Sequence, residues 1–361
     1  MDNKDIFVVA CDDGSGNISF AFTNENEQIT TGIRPSIVQK GDAYSADGLT
    51  SSHAWIDDKG EVYTAVSDSI SPENTCDPQY QTSAANRALV LDTLSHTAKL
   101  AGKKVMLGVT LPAGHFFRNN KPDQNLIERK RQNLLSHMEN ANGDTDAPEI
   151  VAVHVYPEAI PAYVHTTTSE QGTILTKFAD VSRAIVVDVG QFTCDLALIG
   201  IQEQDGRRNM QITNLHTSEH GVHQLHNSLR AKLAAKNLAR LQHPENLTRN
   251  AIETLIERGF IGSPMKKEAQ IDLTPEITAA KRELAEQIRS DLRTLHRDLA
   301  DVDVVILVGG GAHLLREFAC SEDPAIGWHD VVIVPEKPEM AVVLGVHRMM
   351  MQSKARLLQA V

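Results

Sequence analysis

The sequence predicts an α/β protein built as two related halves, and two observations carry that expectation. The first is a strand-turn-strand device that occurs twice. Ile6-Phe7-Val8-Val9-Ala10-Cys11 is an apolar, β-rich run that stops in Asp12-Asp13-Gly14-Ser15-Gly16-Asn17 and resumes as Ile18-Ser19-Phe20-Ala21-Phe22. Ala184-Ile185-Val186-Val187 likewise runs into Asp188-Val189-Gly190-Gln191-Phe192-Thr193-Cys194-Asp195 and resumes as Leu196-Ala197-Leu198-Ile199. The second observation is spacing. Laying Asp12 on Asp188 matches Gly14 to Gly190 and Asn17 to Thr193, an offset of 176 residues (188 minus 12) in a chain of 361. An offset near half the chain is the mark of an internal repeat.

The remaining elements follow in order. Residues 34–80 are rich in Ser, Asp and Gly around short strand-like pieces, Ala54-Trp55-Ile56 and Glu61-Val62-Tyr63-Thr64, and read as an inserted subdomain. Ala84 to Leu100 and Asn125 to Glu139 are helical patterns, while Lys104 to Thr110 and Ile150 to Val155 are buried strands stopped by Pro112 and Pro157. Residues 166–173 lack apolar periodicity and read as a linker. Behind Thr274-Pro275, a long helix to Leu299 keeps Ile277, Leu284, Ile288, Leu292, Leu295 and Leu299 on helical spacing. Val304 to Val308 enters Gly309-Gly310-Gly311 and then Ala312-His313-Leu314-Leu315, a strand, glycine turn and helix.

Composition removes several functional classes. With 41% hydrophobic and 23% charged residues the chain is neither disordered nor fibrous. Its formal charge of −12 repels a duplex polyanion, so direct DNA binding is not expected. The only compact basic run is Arg129-Lys130-Arg131. Cys11, Cys76, Cys194 and Cys320 stand far apart, which indicates neither a disulfide framework nor a zinc site, and fits a reducing cytoplasm. The polar start Met1-Asp2-Asn3-Lys4-Asp5 carries no membrane anchor.

Singly, each Asp-Gly turn is what an inert hairpin also uses. As a pair at the ends of buried strands, the turns could face one another across a cleft. Their backbone N–H groups, with the Ser15 and Thr193 hydroxyls, would grip a phosphate chain, and the two aspartates would hold Mg²⁺ through hard oxygen ligands. The glycines at 309–311 let backbone approach a ligand closely, at a helix N-terminus that favours negative charge.

These three elements resemble the first phosphate loop, second phosphate loop and adenosine loop of the actin, Hsp70 and sugar-kinase superfamily. Within it, three blocks resemble the ParM/StbA family of plasmid-segregation actins: Thr110-Leu111-Pro112-Ala113-Gly114-His115-Phe116-Phe117-Arg118-Asn119-Asn120-Lys121-Pro122, then Ile127-Glu128-Arg129-Lys130, then Pro157-Glu158-Ala159-Ile160-Pro161-Ala162-Tyr163. The resemblance implies an actin-like ATPase fold, two duplicated RNase H-like domains around a nucleotide cleft. Residues 1–165 with 337–361 would form the first domain, and 166–336 the second. It also implies ATP and Mg²⁺ as cofactors, with Asp12 and Asp188 on the metal side. Gly14, Ser15, Gly16, Asn17, Gly190, Gln191, Phe192, Thr193, Gly309, Gly310 and Gly311 would hold the nucleotide, and Glu158 would position the attacking water beside Asp188 in catalysis. The implied function is a cytoplasmic, filament-forming ATPase that segregates plasmid DNA through an adaptor of the ParR/StbB type, with hydrolysis destabilising the filament and no direct DNA or membrane contact. A small-molecule kinase of the same superfamily is the alternative.

Two positions depart from the family pattern. Ser19 stands where relatives often place a phosphate-contacting lysine, and the bulky Phe192 lies where they have small residues, so its ring must point away from the phosphates. Lys281 and Arg282 resemble a basic pair that flanks adenine in Hsp70-like relatives, on a helix face that is otherwise a solvated one. His216, His220, His223 and His226 recur at near-helical spacing, but Gly221 interrupts the run, and they read as surface and packing histidines.

Overall fold

The computed structural model describes residues 6–42, 50–69, 71–119, 121–204, 207–236, 238 and 241–359. The polar start at 1–5 and Asn120 of the Arg-Asn-Asn block lie outside the described residues. Two units divide the chain: Met1–Val181 with Gln202–Ile212 and Glu339–Val361, and Ser182–Ile201 with Thr213–Pro338.

The first unit begins with β1 (Ile6–Asp13), β2 (Asn17–Thr23) and β3 (Ile29–Pro35), a meander of antiparallel strands. Two further strands, β7 (Lys104–Leu111) and β9 (Glu149–Pro157), add in parallel on the β1 side, giving the order β9-β7-β1-β2-β3. The apolar run of β1 is continuous because both faces of this sheet are covered. Val9 and Cys11 pack with Leu89, Val90 and Leu94 from the region of α1 (Ala84–Asp92), whereas Val8 and Ala10 pack with Val343, Val346 and Met350 of the C-terminal helix Ala341–Leu358.

A second sheet in this unit, β8-β5-β6-β4, is built from β4 (Val38–Lys40), β5 (Ala54–Asp57), β6 (Val62–Ala65) and β8 (Met138–Asn140). Strand β8 explains why the helix expected to reach Glu139 stops early. Helix α2 (Gln124–Leu135) ends at Ser136, and Met138, Glu139 and Asn140 pair instead with Asp57, Ile56 and Trp55. The helix expected over 84–100 is α1 followed by a π-turn at Thr93–Thr97. Residues 166–173, expected as a linker, begin by completing α3 (Ala159–Thr167), and Thr168 then bridges to Ile174.

The second unit repeats the plan. Strands β10 (Arg183–Val189) and β11 (Cys194–Gln204) are antiparallel, with β12 (Arg207–Ser218) next to β11. β13 (Val304–Val308) and β14 (Val332–Ile333) add in parallel beyond β10, in the order β12-β11-β10-β13-β14. Helices α4 (Val222–Lys236), α5 (Arg249–Arg258), α6 (Thr274–Leu295) and α7 (Ala312–Ala319) contribute Leu225, Leu229, Ile252, Ile288, Leu292 and Leu315 to one core with Ile185, Val187 and Leu307. Helix α6 stops at Leu295, before the expected Leu299, because His296 turns extended. Among the described residues no helix is long and apolar enough to cross a membrane.

Candidate functional site: two aspartate turns

In both units the sequence-predicted residues gather at the C-terminal ends of parallel strands, where open α/β sheets place ligands. Asp12 lies near the end of β1 and Thr110 near the end of the neighbouring β7. The Thr110 hydroxyl donates to Asp12 Oδ1 at 2.7 Å. Burial pushes the Asp12 carboxyl up to about 6, against the opposing effect of the Thr110 hydrogen bond. Ser19, directly across the β1–β2 ladder from Asp12, is buried and its hydroxyl has no partner. A buried carboxylate that is costly to ionise and an unsatisfied hydroxyl beside it are chemistry a hard cation with anionic oxygens would satisfy, so these residues fit Mg²⁺ and phosphate.

The turn itself is propped from behind. Ser36 Oγ donates to the Gly14 carbonyl at 2.6 Å, Ser36 N to the Gly16 carbonyl at 3.1 Å, and Thr75 Oγ1 to the Ser15 carbonyl at 2.7 Å. Neither Gly14 nor Gly190 takes a left-handed backbone; what each provides is space, since a Cβ would sit 3.1 Å from the Asn17 carbonyl or 3.3 Å from that of Thr193. Behind Asp12, Asp13 is completely buried and meets Lys130 Nζ at 2.8 and 3.0 Å, with Asn86 Nδ2 donating to it at 2.6 Å. Lys130 also donates to Gln81 Oε1, and Gln81 Nε2 to the Asp13 carbonyl at 3.4 Å. Sequence reasoning missed this network. It read Arg129-Lys130-Arg131 as a positive cluster, yet Lys130 is sealed inside, and Arg131 is engaged with Glu128 and the Val153 carbonyl.

Glu158 follows the end of β9 and precedes α3, half-buried, with its N–H donating to the Leu111 carbonyl at 3.2 Å. Helix α3 is fixed by the C-terminal helix. Arg348 donates to the Thr168 and His165 carbonyls at 2.8 and 3.0 Å, a cation at a helix C-terminus, and a Cβ on Gly345 would collide with the Pro161 carbonyl.

In the second unit Asp188 pairs with Asp195 on β11 and Val308 on β13. The Thr193 hydroxyl donates to Asp195 at 3.0 Å. The turn is held by backbone: Gly190 N–H to the Thr193 carbonyl at 2.9 Å, Val222 N–H to Gly190 at 3.0 Å, and His223 N–H to Gln191 at 2.9 Å. Phe192 stacks at a tilt on His223, ring centroids 5.7 Å apart. The Gly309-Gly310-Gly311 turn closes directly on this one. Gly309 has φ 84°, and a Cβ there would collide with Asp188 Oδ1, while Gly311 N–H donates to Val189 at 2.9 Å. A Cβ on Gly310, by contrast, meets nothing within 4 Å. Helix α7 starts at Ala312, and Lys281 of α6 pairs with Glu317 of α7 at 3.6 Å; Arg282 lies exposed.

The four spaced histidines do not converge on one point. His216 and His220 face Asp291 at 3.5 and 2.6 Å, His223 caps the Gln191 carbonyl, and His226 is buried, its imidazole pushed down to about 4 by desolvation. Asp291 is the acidic partner that the sequence spacing did not reveal.

Comparison with known proteins agrees with this architecture. Residues 7–169 match the family described as plasmid segregation protein ParM, N-terminal, and residues 186–319 match archaeal actin homologue MreB-like, C-terminal. No curated protein sequence matches the chain. Among solved structures, the actin-like protein Alp7A superposes with a TM-score of 0.70 at 13% identity, covering 99% of this chain and 100% of its own. A 15-stranded ParM filament from Clostridium botulinum gives 0.66 at 16% identity, covering 96% and 99%. Bacillus thuringiensis ParM with ATP gives 0.59 at 14%, covering 98% and 100%. At such identities the likeness establishes the fold. The chain has a two-domain actin-like fold. Its first part is similar to the ParM/StbA N-terminal domain and its second to the MreB-like C-terminal domain.

Proposed function

We propose that this chain is an ATP-dependent, filament-forming actin homologue that segregates plasmid DNA through an adaptor protein, with hydrolysis weakening the filament. The observation that carries the reading is the match of residues 7–169 to the ParM N-terminal domain, because Asp12, Thr110 and Glu158 all stand at strand ends inside it. Filament formation is supported by the similar fold of a protein solved as a ParM filament, and nucleotide use by that of a ParM solved with ATP. The negative charge of −12 favours leaving DNA contacts to the adaptor.

In this reading each Asp-Gly turn holds phosphate oxygens, Asp12 and Asp188 hold Mg²⁺, and the 309–311 turn accommodates the nucleoside through its lack of side chains. Bound Mg²⁺ would supply positive charge to offset the negative charge on the phosphoryl and leaving-group oxygens. Glu158 orients a water molecule and takes up its proton on the carboxylate. The Thr110 hydroxyl keeps Asp12 Oδ1 aimed along the strand end. Arg348 and Gly345, by locking α3, keep Glu158 in place.

The test is light scattering alongside phosphate release, with Mg²⁺ and ATP. Wild type should scatter and then decay as ATP is consumed. Glu158→Ala should lose about 10²-fold or more in turnover, keep nucleotide binding within a few fold, and form polymer that persists. Equal turnover in the two proteins removes Glu158 from the chemistry. Absence of scattering at every concentration favours a small-molecule kinase over a filament.

A further inference from the structure

Away from both aspartate turns, the first unit carries a cluster that the proposed ATPase does not use. The Asp92 carboxylate at the end of α1 is completely buried, and two imidazoles converge on it: His53 Nδ1 lies 3.0 Å from Oδ1 and 3.2 Å from Oδ2, and His96 Nε2 lies 3.6 Å from Oδ1. The two rings are 4.4 Å apart between centroids, and the three ligand atoms all lie within 4.8 Å of one another. Tetrahedral zinc with bonds of about 2.0 Å spaces its ligands by about 3.3 Å, so little movement would close these atoms around an ion.

We propose that His53, Asp92 and His96 form a binding site for a divalent transition metal, zinc foremost. The donor set, two imidazoles and a carboxylate, is what zinc selects, and three protein ligands leave a fourth position for water. Water has access, since the His53 side chain is 44% exposed while Asp92 is at 0%.

The surroundings orient the set as outer partners of a metal site do. Arg34 on β3 binds Oδ2 and so fixes the orientation of the carboxylate beside the imidazoles. Trp55 Nε1 donates to Oδ1 at 3.1 Å, leaving its second lone pair to the ion. His96 belongs to the π-turn at Thr93–Thr97, an irregularity that costs helical regularity and recurs at functional sites. Its Nε2 also lies 3.0 Å from the Ser52 carbonyl. Metal binding therefore requires that nitrogen to give up a proton, which passes to buffer or to the opposite ring nitrogen. Arg34 is two residues before Ser36, the prop of the Gly14 carbonyl.

The experiment is calorimetric titration of the chelator-treated full chain with Zn²⁺, paired with visible absorption of its Co²⁺ form. Wild type should bind one equivalent and show the intense d–d bands of tetrahedral cobalt. His53→Ala and His96→Ala should each weaken binding at least tenfold and remove the bands, with circular dichroism unchanged. His220→Ala, which removes one of two imidazoles that meet Asp291 through different oxygens, should leave both readouts as in wild type. Wild-type affinity no better than that of the His53 and His96 variants, or an equal loss in His220→Ala, overturns the assignment. So does a wild-type protein with no tetrahedral cobalt spectrum.

Discussion

The Asp12 turn and the Asp188 turn share a sequence pattern and a place at the end of a central strand, yet they are held in opposite ways. The first is set by side chains arriving from distant parts of the chain: Ser36 and Thr75 on its carbonyls, and the buried Lys130, Gln81 and Asn86 around Asp13. The second is set by backbone on backbone, with Gly221, Gly309 and Gly311 so close to Asp188, Val189, Gln191 and Phe192 that none has room for a Cβ. A turn fixed by buried charge fails when the charge is left alone, and one fixed by close approach fails when volume is added. The two tryptophans make the contrast measurable, because Trp55 lies in the first unit and Trp328 in the second.

Lys130→Met should have the largest effect, about 3–5 kcal/mol, since it leaves Asp13 buried without its cation. Urea denaturation followed on Trp55 in a Trp328→Phe background reads it, and adding Asp13→Leu should recover much of the loss. A cost below about 1 kcal/mol would mean that the charge pair is not the prop. Gly309→Ala should cost about 1–3 kcal/mol through its left-handed backbone and the collision with Asp188, and should move the Trp328 transition in a Trp55→Phe background. If the shift appeared on Trp55 instead, the volume argument would belong to the wrong unit.

Asp12 sharpens the comparison through pH. Its folded-state value of about 6 lies above the unfolded one, so the folded protein holds a proton that the unfolded chain has lost between about 4 and 6. Stability from this group is therefore present at low pH and lost as pH rises through about 6. Asp12→Asn should stabilise the first unit by about 1–2 kcal/mol at pH 7 and by much less at pH 4.5, as judged from parallel urea midpoints on Trp55. A gain independent of pH would show that the carboxyl is not the titrating cause. The smallest effect expected is for Arg282→Ala, on the exposed face of α6: within about 0.5 kcal/mol in stability, with any change confined to nucleotide affinity measured by fluorescence titration.

Strands β1, β2, β7, β9, β10, β11 and β13 and both turns were legible because a strand covered on both faces must be a continuous apolar run, and such a run announces its own end. Val8, Val9, Ala10 and Cys11 alternate between two different cores, yet all four are apolar for the same reason. Helix ends were less legible. Nothing local tells Met138 and Asn140 to leave a helical pattern; they do so because β5 offers them a ladder from a segment more than eighty residues earlier.

By itself the sequence determined the repeated Asp-Gly turn, the two-part α/β architecture and the residues that stand at its strand ends, since these follow from hydrophobic periodicity and from where glycine is tolerated. Only the tertiary structure decided which charges are inside. Lys130 reads as one of three bases in a compact run, and becomes a completely buried prop because Asp13, far away in the chain, needs a counterion in a place water does not reach. No sequence motif joins Asp92, His53 and His96, and folding brings their ligand atoms within 4.8 Å of one another. Desolvation and electrostatic pairing depend on distance in space, and a one-dimensional pattern carries none of that information.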